Sequence, residues 1–486
     1  LSLLSTLLLL GVAATMVARA ADGWTSVYLM SNWAAPYGIV LVADRLSTLM
    51  VLATSVLALV SLVAATGSWD ERGPNFHALF QIQLMGLNGA FLTGDVFNLF
   101  VFFEVMLIAS YGLLLHGGGG PRIGSGLRFV TINLTGAALF LIAVGLLYGV
   151  TGTLNMADLG LRLRELDPTG RALAQSGALL LLLVFILKSA VLPLYFWLPQ
   201  TYPVAAGPVA ALFAIMTKVG IYSLLRVSSV SFGGADGLLP PAVFLLLTIG
   251  GGATYLLAMI GTLASRDLRT LIAYLVVSSA AFLLTAAGIG TEASLAAAIY
   301  YLMHSTFAAA ALFLIAEQIA IARGKERDRL HAGVAVAQPA LLGGLFFVGA
   351  TATASLPPFG GFIGKAMLLA AAVPLERGGW LFAALLLGSL LAIVALSRAG
   401  SQIFWKARRV DGEGAATAGA PPARIAATGW APAVLALAVV AAIAVAAAPL
   451  QRYAVATAAA LLQPAPLIER TLSVVPRPGP HSEPDR

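Results

Sequence analysis

Apolar runs of about twenty residues follow one another along this chain from Leu1 to beyond residue 450. Each is long enough to cross a ~30 Å hydrocarbon core as a helix. Inside lipid every backbone N–H and C=O must find a partner within the protein, so runs of this kind fold as a bundle of spanning α-helices. Charged residues make up 10% of the sequence, against ~25% in soluble domains. The expected fold is therefore an all-α polytopic membrane protein. The runs give about thirteen transmembrane helices, near residues 1–18, 40–65, 77–93, 96–115, 128–150, 175–198, 204–226, 240–264, 268–289, 293–321, 338–371, 379–404 and 430–460. The formal charge of +7 lies mostly in short loops, where it sets topology, and is no signal for nucleic acid. Cysteine is absent, which excludes disulfides, thiolate metal sites and thiol catalysis.

Two runs are interrupted. Pro193 and Pro199 break the 175–198 segment, and SLPPFGG, with Pro357 and Pro358, breaks the 338–371 segment. Proline removes a backbone donor and clashes with the preceding turn, so each helix should break there. The two segments are sixth and eleventh in order and so run in opposite directions. Paired interrupted helices in antiparallel halves point to an inverted-repeat transporter. The competing reading is two ordinary proline kinks.

Charge inside the runs is rare and concentrated. Only five lysines occur, and three lie within apolar sequence: Lys188 beside the first break, Lys218 in the 204–226 span and Lys365 beside the second break. Glu104 is equally enclosed, in DVFNLFVFFEVMLIASYGLLL. An ionisable group at membrane depth is costly and marks a functional site by default. Burial disfavours the charged form of a lysine and a nearby carboxylate favours it, so such groups can carry protons and titrate as a set. The alternative for each is a static interhelical ion pair. His304 is either a proton relay or a hydrogen-bonded core histidine. Asp95 and Asp267 are expected to cap the helices that follow them. Gly117 to Gly120 lack the context of a phosphate-binding loop and read as a flexible turn. The sequence carries no metal-ligand spacing, haem-attachment motif or dinucleotide fingerprint, so no cofactor or metal is expected.

Basic residues favour one set of loops. Arg72, Arg122, Arg128, Arg266, Arg269, Arg323, Lys325, Arg327, Arg329, Lys406, Arg408, Arg409 and Arg424 fall after even-numbered spans. Arg19, Arg162, Arg164, Arg171, Arg226 and Arg377 fall opposite. The first set is expected to face the cytoplasm. Trp24, Trp33, Trp380, Trp405 and Trp430 near span ends fit an aromatic belt. The stretch 411–424 reads as a flexible linker, and the last residues, PRPGPHSEPDR, read as disordered. The chain opens at Leu1 within an apolar run, so the true start is expected upstream, together with a further helix.

The strings FLTGDVFNLFVFFEVMLIASYGLLL, VTGTLNMADL, LKSAVLPLYFWLPQTYPVAAGPVAALFAIMTKVGIYSLLR and SLPPFGGFIGKAML closely resemble the D subunit of Mrp-type (Mnh or Pha) cation/proton antiporters. The resemblance covers nearly the whole chain. The wider family includes the proton-pumping, antiporter-like subunits of respiratory complex I and of membrane-bound hydrogenases. It implies fourteen helices with two inverted five-helix repeats, each holding a broken helix. It places a proton-translocation role on Glu104, Lys188, Lys218, His304 and Lys365. This chain departs from many relatives at Ala309, where they carry a lysine. The link between half-channels would then rest on His304, water and hydroxyls such as Ser278, Ser279, Ser305 and Thr306.

The expected function is that of a proton-translocating subunit of a multisubunit Na⁺ or K⁺/proton antiporter, a secondary transporter and not an enzyme. The alternative is a proton-pumping subunit of a complex I-like or hydrogenase assembly. Partners would be the other complex subunits, the lipid bilayer, protons and Na⁺ or K⁺. The location would be a bacterial inner membrane. The expected organisation is N-terminal helices over 1–93, a first repeat over 94–239, a second over 240–405, a cytoplasmic linker over 406–429 and a C-terminal helix and tail over 430–486.

Overall fold

The computed structural model describes residues 1–233, 237–375, 378–406 and 426–476. The expected linker and disordered tail, and Arg377, Arg408, Arg409 and Arg424, lie outside the described residues. The protein is an all-helical bundle with one small hairpin. Among the described residues eleven helices are long and apolar enough to cross a membrane.

In chain order the elements are α1 (Ser2–Ala21), β1 (Ser26–Leu29), β2 (Val40–Ala43), α2 (Arg45–Ala65), α3 (Phe76–Leu92), α4 (Val96–Leu115), α5 (Gly120–Thr151), α6 (Met156–Arg162), α7 (Pro168–Lys188), α8 (Trp197–Thr201), α9 (Gly207–Phe213) and α10 (Met216–Val230). They continue with α11 (Pro241–Ala264), α12 (Leu268–Ile289), α13 (Glu292–Arg323), α14 (Pro339–Thr353), α15 (Gly360–Ala372), α16 (Gly379–Gly400), α17 (Ala427–Val445), α18 (Ala447–Leu462) and α19 (Ala465–Leu472).

The caps follow local chemistry. Asp95 accepts the backbone N–H of Asn98 and opens α4, and Asp267 accepts that of Thr270 and opens α12. Asp44 and Ser47 form a reciprocal capping box at the start of α2. That box sits where a helix from residue 40 is expected. Residues 40–43 instead form β2, paired antiparallel with β1, with Ser26 opposite Ala43. The β-branched pattern of VLVA suits a strand, and Asp44 stops it.

The centre of the bundle is α9–α10, α12 and α13, almost wholly buried and mostly apolar around the helix. Lipid tails are as apolar as leucine, so close backbone approach holds such helices together. On α12, a Cβ at Gly288 would lie 2.5 Å from the backbone nitrogen of Thr248 on α11. On α11, one at Gly251 would lie 2.7 Å from that of Thr285. Glycine at both positions is what lets α11 and α12 touch along their lengths.

Three further expectations change. The span over 430–460 is two helices, α17 and α18, interrupted at Ala446. The helix carrying Lys218 is not uninterrupted: the N–H groups of Ala214 and Ile215 bond back three residues, to Ala211 and Leu212, between α9 and α10. Arg226, Arg269 and Arg323, expected among the loop charges, are buried. Arg226 forms a two-point ion pair with Asp44 at 2.6 and 2.7 Å, and Arg269 pairs with Glu317. Arg323 binds the loop carbonyls of Arg329 and His331. A guanidinium carries five donors, and each of these finds acceptors at a helix end, so it folds inward.

Candidate functional site

Both expected breaks are present, and both lie against the buried charges. α7 ends at Lys188, and Ala190 takes the left-handed region at φ 54° before the chain resumes helix at Trp197. The freed backbone groups are met by neighbours. Leu192 donates its N–H to Thr254 Oγ1 on α11 at 3.1 Å, and Trp197 Nε1 donates to the Leu187 carbonyl at 3.1 Å. This is how irregular backbone persists at membrane depth. The second break separates α14 from α15 at residues 354–359, with Ser355 at φ 63°.

Lys188 is buried, 5% exposed. Its Nζ donates to Asn133 Oδ1 on α5 at 3.2 Å and lies 5.8 Å from the centre of the Phe103 ring. Asn133 is held in turn by the Phe129 carbonyl, to which its Nδ2 donates at 2.8 Å. Glu104 on α4 lies within electrostatic reach of Lys188 but makes no direct ion pair with it, and its Oε1 is buried without a hydrogen-bond partner. Glu104 is half-buried. Phe97, Val101 and Ile108, one and two turns away on the same face of α4, are exposed.

Lys218 is fully buried. Its Nζ donates to Ser279 Oγ on α12 at 2.6 Å and to Thr217 Oγ1 at 3.3 Å. Gly220, further along the same helix, brings α10 against the first break: a Cβ there would lie 2.9 Å from Phe185 O and from Ser189 N.

His304 on α13 belongs to the second break. Its Nε2 donates to the carbonyl of Ala352, near the end of α14, at 3.0 Å. A carbonyl can only accept, so the proton sits on Nε2 and Nδ1 is left as a buried acceptor without a partner. Lys365 on α15 is 8% exposed and donates to Ser389 Oγ on α16 at 2.9 Å, with the Tyr255 ring centre 5.8 Å away.

A small cavity lies among α11, α12, α13, α15 and α16, beside the second break. Ser278, Ser279, His304, Ser305, Ala309 and Lys365 lie in its wall. Its water-accessible volume of about 10 Å³ is of the order of one water molecule. Ser279 thus touches Lys218 on one side and shares a cavity with His304 and Lys365 on the other. The small side chain of Ala309 leaves that space open. Thr306, whose Oγ1 bonds the Leu302 carbonyl of its own helix, is not among the lining groups.

Sequence reasoning missed several partners. Asn133 is the one amide inside its apolar run and could have been found on that ground. Ser389 carries no such signal, since serine is common in membrane helices. Glu317 was also missed. It sits in α13, where it accepts from Trp69 Nε1 at 2.9 Å and from the Gly207 N–H at 3.1 Å, besides Arg269.

Comparison with known proteins places the chain. Residues 93–392 match the model of the family described as NADH:quinone oxidoreductase/Mrp antiporter, TM. The chain is 40% identical to the D subunit of a probable K⁺/H⁺ antiporter of Rhizobium meliloti, covering 98% of this chain and 92% of that protein. It is 37% identical to the D subunit of the Na⁺/H⁺ antiporter of Alkalihalophilus pseudofirmus, over 78% of this chain and 76% of that one. A chain of the Mrp complex from Dietzia superposes with a TM-score of 0.86 at 28% identity, covering 97% of this chain and 94% of that chain. The chain therefore belongs to the NADH:quinone oxidoreductase/Mrp antiporter family of membrane proteins, among the antiporter D subunits.

Proposed function

We propose that this chain carries protons through the membrane part of a multisubunit Na⁺ or K⁺/H⁺ antiporter, along Glu104, Lys188, Lys218, His304 and Lys365. The observation that carries the reading is the wall shared by Ser279, His304 and Lys365, with Lys218 bonded to Ser279 from behind. A proton on Lys218 is one hydroxyl away from the cavity, and the free Nδ1 of His304 is an acceptor placed in the same region. A water there would connect them. Lys188, with Glu104 nearby, would load the first half, and Lys365, beside the second break, would exchange with the other exit. The breaks at α7–α8 and α14–α15 support two inverted repeats, about 94–239 and 240–405, within about thirteen spans.

Glu104 also supports a partner. A mid-span carboxylate on a partly exposed, otherwise apolar helix face is costly against lipid. Another subunit covering that face removes the cost. The relatives named as antiporter subunits support the same assembly, set in a bacterial inner membrane. Cation transfer would occur in coupling with other subunits.

The test is Glu104→Ala and Glu104→Asp, assayed in everted vesicles with complex assembly checked. The alanine variant is expected to abolish antiport with the complex intact. The aspartate variant should keep part of the activity, because a shorter carboxylate remains. Normal transport by the alanine variant would remove Glu104 from the path.

A further inference from the structure

We propose that a crevice at the arginine-rich end of the bundle binds the phosphate of an anionic phospholipid. The crevice has a volume of about 620 Å³ and lies among Trp69, the turn that opens α5 and the loop after α13. This is within the range of small-ligand sites. Four arginines line it: Arg72, Arg122, Arg327 and Arg329.

Their guanidinium groups are unevenly committed. Arg122 is anchored, with Nε donating to the Val204 carbonyl at 2.9 Å and Nη1 to that of His116 at 2.5 Å. Among the described residues, the side chains of Arg72, Arg327 and Arg329 make no hydrogen bond or ion pair. Arg72 and Arg122 both lie over the Trp69 ring, at 3.9 and 4.7 Å from its centre. The ring is fixed by the bond from Trp69 Nε1 to Glu317. Two guanidinium groups thus pack on one aromatic ring, and neither forms an ion pair with a carboxylate.

Two carboxylates also face the crevice, and both serve the backbone. Asp267 accepts the N–H of Thr270 at 2.9 Å, and Asp328 accepts that of Arg269 at 2.9 Å. Neither pairs with an arginine of the crevice. Four positive charges against two negative leave a net excess of two. The N-terminus of α5, a helix of 32 residues, opens at the same place and adds its positive dipole end.

The surroundings select a lipid over a free phosphate. The crevice sits at the ends of helices long and apolar enough to span, where lipid headgroups would meet them. Beside it, Leu115 at the end of α4 and Ile123 and Leu127 on the outer face of α5 are 41%, 64% and 69% exposed. An acyl chain attached to a phosphate in the crevice can lie along this wall. Arginine matches phosphate oxygens two at a time, which a general attraction of loop charge to the membrane surface does not require.

The test uses the purified complex. Native mass spectrometry would follow retention of phosphatidylglycerol against phosphatidylcholine, with inorganic phosphate and a polyglutamate peptide as competitors. Arg327→Gln/Arg329→Gln alters two unpartnered side chains, and Arg72→Gln is a second variant should that complex assemble poorly. Lys325→Gln removes one charge from the same loop outside the crevice. Phosphatidylglycerol is expected to be retained preferentially. Its affinity should fall about tenfold or more in the arginine variants and less than about twofold in Lys325→Gln. Equal retention of phosphatidylcholine, or an equal loss in Lys325→Gln, would overturn the site. Displacement by inorganic phosphate would overturn the lipid as its ligand, and displacement by polyglutamate would replace it with an acidic protein segment.

Discussion

Lys218 Nζ donates to Ser279 Oγ at 2.6 Å, while Ser279 gives its own proton to the carbonyl of Val276 at 2.7 Å. The hydroxyl therefore meets the lysine as an acceptor, and it can relay a proton only by turning away from Val276. The first bond joins α10 to α12 and the second stays within α12, and both are buried, so little else can replace them.

Ser279→Ala should slow antiport by about tenfold or more, since a hydrogen bond to a charged group contributes roughly 1.5–3 kcal/mol and its loss here leaves Lys218 with Thr217 alone. Ser279→Thr keeps the hydroxyl and should retain most of the rate. Proton flux in vesicles, normalised to assembled complex, measures both. Equal rates for wild type and Ser279→Ala would separate this serine from the path.

The general plan was legible from the sequence because lipid leaves few choices. Apolar length marks the spans, and proline beside lysine marks the breaks at Lys188 and Lys365. What failed depended on geometry that composition does not carry. VLVA and the helix after it form one apolar stretch, and only Asp44 with Ser47 marks the true helix start. Arg226 and Arg269 resemble loop charges until Asp44 and Glu317 are brought beside them from distant sequence. Nothing in the sequence singles out Asn133 as the partner of Lys188, because the two are brought together only by the packing of α5 against α7. Of the hydroxyls expected near Ala309, Ser278, Ser279 and Ser305 line the cavity there and Thr306 does not.

Gly220 should tolerate no side chain. An added Cβ would lie 2.9 Å from two backbone atoms of the first break, Phe185 O and Ser189 N. Backbone cannot swing aside as a flexible side chain can. Gly220→Ala should therefore lower stability by about 1–3 kcal/mol and push α10, with Lys218, away from the break. Gly149→Ala on α5 is the control, because nothing lies within 4 Å of a Cβ there. Thermal unfolding of the purified complex and vesicle antiport should both fall for Gly220→Ala only.

Asp328, in the loop after α13, gives a pH signature. Burial raises its carboxyl above the ordinary value, and the attraction of Arg269 offsets this only in part. A carboxyl raised on folding stabilises the protein below its unfolded value, and that contribution is lost as pH rises through the folded value. Asp328→Asn keeps an acceptor for the Arg269 N–H but does not ionise. The melting temperature of the variant should accordingly gain on wild type between about pH 4 and pH 7. A difference that stays constant, or shrinks, across that range would mean the carboxylate is not strained by burial.

Lys218 and Lys365 offer the sharpest division between proton carrier and fixed counter-charge. Each is buried and each donates to a hydroxyl on a neighbouring helix, Ser279 and Ser389. A fixed cation in either place needs only its positive charge. A carrier must also lose it. Arginine keeps the charge, and its guanidinium does not deprotonate in proteins. Lys218→Arg and Lys365→Arg should therefore be as inactive as the corresponding alanine variants, although arginine is the better mimic of an ion-pair partner. Arginine is also bulkier, and the full burial of Lys218 makes a packing fault at that position a second cause of failure. Lys365, at the cavity that Ala309 leaves open, has more room, so its arginine variant is the decisive one. Antiport near the wild-type rate in Lys365→Arg, with the complex assembled, would make that lysine a static charge and end the proton path before the second break.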